Sequence, residues 1–345
     1  MSAFLEVRDL AVEFATDAGA VRAVDGVSFT LERGRTLAIV GESGCGKSTT
    51  AAAIMGFHGQ SPNARATGRI EIGGDEILTA PLRQLRQLRG TRVAMIFQDP
   101  LSALHPCYTI GRQLVEAIIV HKQTSKRAAR ASAIDMLGRV GIPEPDRRVD
   151  EYPHQFSGGM RQRVMIAMAL INQPELLIAD EPTTALDVTV QSQILELLVS
   201  LQKEFGTALL LITHDLGVVA RVADEVCVMY GGRFVESGTI RDVFYRPQMP
   251  YTWGLLQSLP RLNAEKVDRL PQISGQPPLL TGTVEGCLFR PRCGFHALAP
   301  EDGCATTSPQ LREVAAGHWA RCHLSDADRE RELVATRRRM GAGDD

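Results

Sequence analysis

The run Gly41-Glu42-Ser43-Gly44-Cys45-Gly46-Lys47-Ser48 has the residue types and spacing of a loop that cradles phosphate. Glycines let successive backbone N–H groups turn inward, and a helix starting behind them adds positive potential. Lys47 has the reach to meet terminal phosphates, the Ser48 hydroxyl can ligate Mg²⁺, and Thr49 continues the same surface. A second group of chemistry-bearing residues is Leu176-Leu177-Ile178-Ala179-Asp180-Glu181, an apolar run that delivers two adjacent carboxylates. Adjacent residues on a strand point apart, so Asp180 can face Mg²⁺ while Glu181 faces an attacking water as its general base. His214 ends the apolar run Ala208 to Thr213 and suits a contact to the γ-phosphate. Gln98, ending the run Val93 to Phe97, is a candidate ligand of Mg²⁺ or water. Cys287, Cys293, Cys304 and Cys322 crowd the last part of the chain, which in a reducing compartment suggests metal before disulfide.

These residues need elements that bring them to one place. Thr36 to Val40 reads as a short strand running into the glycine loop, with helix formers from Ser48 to Met55 behind it. Short apolar runs at 93–97, 176–179 and 208–213, separated by helix-period segments such as Thr189 to Phe205, predict a mostly parallel sheet covered on both faces. Ligands in such sheets gather at the C-terminal ends of the strands, where Gln98, Asp180, Glu181 and His214 all lie. Leu5 to Leu31 alternates apolar and polar residues and predicts antiparallel strands. Between Gln98 and Asn172 only helical pattern occurs. Glu225 to Tyr230, Gly231-Gly232 and Arg233 to Glu236 predict a closing hairpin. The expected organisation is a nucleotide-binding domain over residues 1–255, with a helical insert at about 99–172. A C-terminal extension follows over 256–345, proline-rich at first and strongly charged at its end.

With 38 Lys and Arg against 40 Asp and Glu, the formal charge of -2 offers no basic field for nucleic acid. No apolar run reaches the roughly 18 to 20 residues a bilayer span needs. The first ten residues lack the order of a secretory signal, so the chain is expected in the cytoplasm.

At Phe156-Ser157-Gly158-Gly159-Met160-Arg161-Gln162-Arg163 the sequence resembles the signature of the ABC transporter ATPases, and its place between Gln98 and Asp180 is that family's order. The resemblance implies a P-loop cassette of class α/β, with a mostly parallel core sheet, an antiparallel β subdomain and a helical subdomain. It implies ATP hydrolysis by two cassettes closing head to tail, so that Ser157, Gly158 and Gly159 of one meet the nucleotide of the other. It matches Ala185-Leu186-Asp187 to the segment joining the two sites and His214 to a switch histidine. An aromatic from the first strands stacks on adenine in that family; Phe14 is the candidate here, with Tyr108 or a plain core role as alternatives. More narrowly, Gln98 to Pro106 and Arg246 to Thr252 resemble the dipeptide and oligopeptide importer ATPases, which carry a small irregular C-terminal domain. In these relatives four cysteines spaced as here hold a [4Fe–4S] cluster. Four thiolates also suit Zn²⁺, although the C-x₂₋₄-C pairs usual for zinc are missing. Cys45, Cys107 and Cys227 read as small buried residues.

The resemblance further implies partners: a second ABC ATPase subunit, two permease subunits and an extracytoplasmic substrate-binding protein, with this chain peripheral on the cytoplasmic face of the membrane. Nickel or another small solute is an alternative cargo. A soluble ABC ATPase acting on nucleic acid or ribosomes is the alternative class; such chains carry long coiled coils or two cassettes with a basic linker, and this sequence shows neither. A redox-sensing role for the C-terminal cysteines is a third reading.

Overall fold

The computed structural model describes residues 3–17, 19–58, 62–184, 186–258, 273–278 and 285–339. Its strands are β1 (Leu5–Thr16), β2 (Gly19–Leu31), β3 (Thr36–Val40), β4 (Ala64–Ile72), β5 (Asp75–Glu76), β6 (Val93–Ile96), β7 (Leu176–Asp180), β8 (Ala208–Thr213), β9 (Glu225–Tyr230), β10 (Arg233–Thr239), β11 (Arg312–Ala315) and β12 (His318–Ala320). Its helices are α1 (Lys47–Ile54), α2 (Leu82–Leu88), α3 (Pro100–Ala103), α4 (Ile110–Ile119), α5 (Lys126–Arg139), α6 (Pro145–Arg148), α7 (Gly158–Leu170), α8 (Val188–Phe205), α9 (Leu216–Val222), α10 (Ile240–Tyr245), α11 (Pro250–Gln257), α12 (Gly303–Thr306) and α13 (Asp326–Arg339).

Two sheets form. The smaller is antiparallel, in the order β2-β1-β4-β5, and the larger runs β11-β12-β10-β9-β3-β8-β7-β6. Within the larger sheet β9, β3, β8, β7 and β6 are mutually parallel. Every residue of β3, β7 and β8 is buried. Strands covered on both faces must be apolar throughout, which is why these segments read as unbroken hydrophobic runs. The alternating pattern of β1 belongs instead to a sheet with one covered face. Among the described residues no strand lies between β6 and β7; α3 to α7 fill that stretch and pack around one core with Leu114, Leu137 and Ile166.

Parallel register carries the chemistry to one rim. Val40 pairs with Thr213, Ala179 with Ile96, and Asp180 with Ile212, so the residues following β3, β8, β7 and β6 emerge side by side. The chain after residue 285 also joins this sheet, because β12 pairs with β10 through Glu236↔Ala320 and Ser237↔Trp319. A buried polar knot fastens that joint. Glu236, 0% exposed, lies 2.8 Å from His318 Nε2 and accepts from the backbone N–H groups of Gln248 at 2.6 Å and Met249 at 3.1 Å.

Removing the Glu236 carboxylate strands two backbone donors and an imidazole in a dry interior. Glu236→Ala is expected to lower the free energy of unfolding by about 3 kcal/mol, in the range for a broken buried pair. Urea denaturation reads this directly; a loss below about 1 kcal/mol would mean the knot contributes little to holding β12 on the sheet.

Candidate active site

The loop between β3 and α1 takes its shape from backbone conformations that favour glycine. Gly44 and Gly46 have φ of 77° and 109°. A Cβ on Gly46 would lie 2.3 Å from the Ala23 carbonyl oxygen, and one on Gly41 would lie 2.2 Å from that of Met229. Loop and neighbouring strands therefore touch backbone to backbone, which no larger residue allows. Gly46 is the N-cap of α1 and supplies no side-chain cap, so the helix's first N–H groups stay available to an anion. Lys47 is buried, and its Nζ donates to the carbonyls of Gly41 at 2.8 Å and Glu42 at 3.0 Å.

Ser48 Oγ donates to Asp180 Oδ1 at 3.1 Å, which joins the loop to the end of β7. Burial raises the Asp180 carboxyl above the usual carboxylate range; the Ser48 hydrogen bond opposes this, the neighbouring Glu181 charge adds to it, and Lys47 opposes it. A hydroxyl and a half-compensated carboxylate in contact, beside a lysine, form a hard oxygen donor set of the kind Mg²⁺ takes. Glu181 adopts φ 46°, a left-handed conformation unusual for its type, with its N–H held by the Ile212 carbonyl at 2.8 Å. That strained turn aims the carboxylate along the rim. There Oε2 accepts from Gln98 Nε2 at 3.1 Å and Thr184 Oγ1 at 2.9 Å, while Oε1 lies 3.2 Å from His214 Nδ1.

A cavity of about 660 Å³ opens over this group, lined by Ala23, Glu42, Ser43, Gly44, Gly46, Lys47, Ser48, Thr49, Gln98, Glu181, His214 and Pro277. Its volume suits a nucleotide-sized ligand. Cys45 points the other way, 1% exposed within the core.

Other expected residues lie elsewhere. Phe14 is half-buried against the core beneath the antiparallel sheet and is absent from the cavity lining. Tyr108 stacks on His105 at 4.3 Å and carries the Arg112 guanidinium on its ring at 3.8 Å, so its faces are engaged. Ser157 caps α7 by accepting from Met160 N–H, and Ser157 and Gly158 are exposed, away from this cavity. Asp187 caps α8, and Ala185 lies outside the described residues.

The cysteine expectations need correction. Cys107 is exposed rather than buried. Among the described residues no group of three or more His, Cys, Asp or Glu side chains is disposed to hold a metal ion, which removes the expected iron–sulfur cluster and its zinc alternative. Cys287, Cys293 and Cys322 pack against an apolar core cluster, and Cys304 is buried. Burial pushes Cys304 up to about 12 and Cys293 and Cys322 up to about 11. Spacing along the chain placed them near one another; it did not specify a ligand set.

Sequence reasoning missed three residues. Gln162, 2% exposed, donates to the Pro182 carbonyl at 2.6 Å, tying α7 to the turn after Glu181. Pro277 lines the cavity, and Arg292 pairs with Glu42. The position of Gln162 on the apolar face of α7 was a readable signal, whereas nothing local marks the other two.

Residues 24–184 match the ABC transporter family, and residues 235–298 match the oligopeptide/dipeptide transporter C-terminal region. The chain is 48% identical to the dipeptide transport ATP-binding protein DppD of Bacillus subtilis, over 97% of this chain and 98% of that one. It is 51% identical to the oligopeptide transport ATP-binding protein OppD of Salmonella typhimurium, over 92% of each. A dimeric ATP-binding cassette solved in a post-hydrolysis state with ADP and Pi superimposes with a TM-score of 0.62 at 26% identity, covering 69% of this chain and 99% of that one.

Gly46→Ala forces backbone against backbone, so the loop itself must move. Thermal denaturation with and without ATP is expected to show ligand stabilisation of the wild type, roughly 2.7 kcal/mol at a hundredfold excess over Kd, and none in the variant. Equal stabilisation of both would show that the loop tolerates a Cβ there.

Proposed function

The chain belongs to the ABC transporter ATPases, among the oligopeptide and dipeptide transport ATP-binding subunits, and from that premise we propose that it hydrolyses ATP to drive uptake of short peptides. The observation that carries the mechanism is Glu181, held by Gln98, Thr184 and His214 at the mouth of the phosphate loop.

ATP enters over Gly41 to Thr49. The free N–H groups of the loop and of α1 take its phosphates, and Lys47 exchanges the Gly41 and Glu42 carbonyls for phosphate oxygens. Ser48, Asp180 and Gln98 would hold Mg²⁺, which when bound neutralises charge building on the phosphates. Glu181 accepts the proton of the attacking water, and His214 contacts the γ-phosphate from the next strand end.

Ser157 and Gly158, exposed at the start of α7, and the half-buried Gly159 beside them serve a nucleotide held by a second cassette. The dimeric ATP-binding cassette with ADP and Pi supports that arrangement. A second ABC ATPase, two permeases and an extracytoplasmic substrate-binding protein complete the machine. No helix among the described residues is long and apolar enough to cross a membrane. The likeness to transport ATP-binding proteins supports a peripheral place on the cytoplasmic face. An apolar patch at the end of α4, with Val120 68% exposed and Ile119 beside it, supports a docking surface for a permease. On this reading residues 1–255 form the motor domain and 256–345 its extension.

Glu181→Gln keeps the shape of the site and removes its base. ATP binding is expected to persist, phosphate release to fall by about 10²-fold or more, and peptide uptake by cells carrying the variant to stop. Hydrolysis at the wild-type rate would remove Glu181 from the chemistry; lost hydrolysis with intact peptide uptake would remove the transport assignment.

A further inference from the structure

The phosphate loop is gripped from behind by a residue 250 positions away. Arg292, whose side chain is 4% exposed, meets Glu42 as two parallel hydrogen bonds: Nη1 to Oε2 at 2.6 Å and Nη2 to Oε1 at 2.9 Å. Its other donors hold a short segment of the extension, Nε to the Ser274 carbonyl at 2.9 Å and Nη2 to that of Ile273 at 3.1 Å. That segment carries Pro277 into the wall of the nucleotide cavity. One guanidinium thus joins the loop to a second wall of the same site.

The surroundings make this contact specific. The Glu42 N–H donates to Tyr251 Oη at 2.9 Å. Tyr251 packs in a three-ring cluster with Tyr230 and with Phe289 of the extension, at centroid separations of 4.6, 5.3 and 5.4 Å. Glu42 is therefore fixed through its N–H and carboxylate together, and Lys47 holds its carbonyl. The charge matters as much as the position. A carboxylate on a loop built for a polyanion opposes binding unless a cation neutralises it, and inside a buried fork the neutralisation is strong.

We propose that the C-terminal extension is a working part of the nucleotide site, with Arg292 as a positioning residue that neutralises and aims Glu42 while the segment it holds sets Pro277 against bound nucleotide. This rests on the ATP-binding reading above and adds to it a determinant of nucleotide affinity outside the cassette.

The test uses the full chain and a fluorescent ATP analogue for Kd, with ATP turnover for KM and kcat. Arg292→Gln leaves Glu42 unpaired, and Kd and KM are expected to rise about tenfold with kcat changed less than about twofold. Adding Glu42→Gln removes the unpaired charge, and the double variant is expected to recover most of the affinity, a rescue that a merely structural role would not give. Pro277→Asp places a carboxylate at the cavity wall; Kd is expected to rise about threefold with the nucleotide-free melting temperature unchanged. Should Arg292→Gln not fold, Pro277→Asp decides. Unchanged affinity in Arg292→Gln or Pro277→Asp, or no rescue in the double variant, overturns the inference. A wild type that binds no nucleotide overturns the ATP-binding reading and this inference with it.

Discussion

A phosphate loop functions only when several backbone N–H groups face one volume, and that requires conformations and close approaches that side chains forbid. Here the requirement is met by contact with two other backbones. Gly41 lies against Met229 of β9 and Gly46 against Ala23 of β2, so the loop is seated where the parallel sheet and the antiparallel sheet meet. The strand order follows from this seat as much as from burial. β9 must neighbour β3 for Met229 to lie under Gly41, and β2 must fold across for Ala23 to reach Gly46.

Once the loop is seated, the rest of the site comes from parallel register. Strands that start level and are all buried also end nearly level, so polar residues just past their ends emerge together without long-range sequence signals. Asp180 and Glu181 show how one strand end provides two roles. The last residue of β7 keeps extended geometry and points down to Ser48, while the next turns into the left-handed region and swings toward Gln98 and His214. The strain at Glu181 is offset by its backbone hydrogen bond to Ile212 and by three side-chain partners.

This pattern explains what was legible in the sequence. The glycine loop, the carboxylate pair, His214 and Gln98 each sit at the end of an apolar run, and a run buried on both faces announces itself by composition alone. The first two strands of the antiparallel sheet and the helical stretch were legible from their periods, 2 and 3.6, whereas β4 and β5 were not read. The cysteine tail was not legible as chemistry. Spacing predicts proximity, whereas ligation also needs the side chains to converge on one point, and Cys287, Cys293 and Cys322 pack instead against the core that holds Tyr251 and Phe289. Phe14 failed to appear at the cavity because the face a β1 residue presents depends on register, and β1 carries three register shifts against β2.

The Glu42–Arg292 pair was illegible for a different reason, and that reason bears on what the extension does. Two residues of opposite charge 250 positions apart carry no periodicity and no motif; only the closed sheet brings them together. β12 joins β10 through the Glu236–His318 knot, which brings the extension beside β9 and α11, where Tyr230 and Tyr251 stand beneath the loop. An exposed pair at that distance would contribute little. A fork whose guanidinium is 4% exposed and also binds two carbonyls of its own segment is different, because losing Glu42 leaves that cation without a counter-charge away from water. The extension is thus bound to the phosphate loop by the same electrostatics that the loop offers to nucleotide, and a change in the seating of one alters the potential felt by the other.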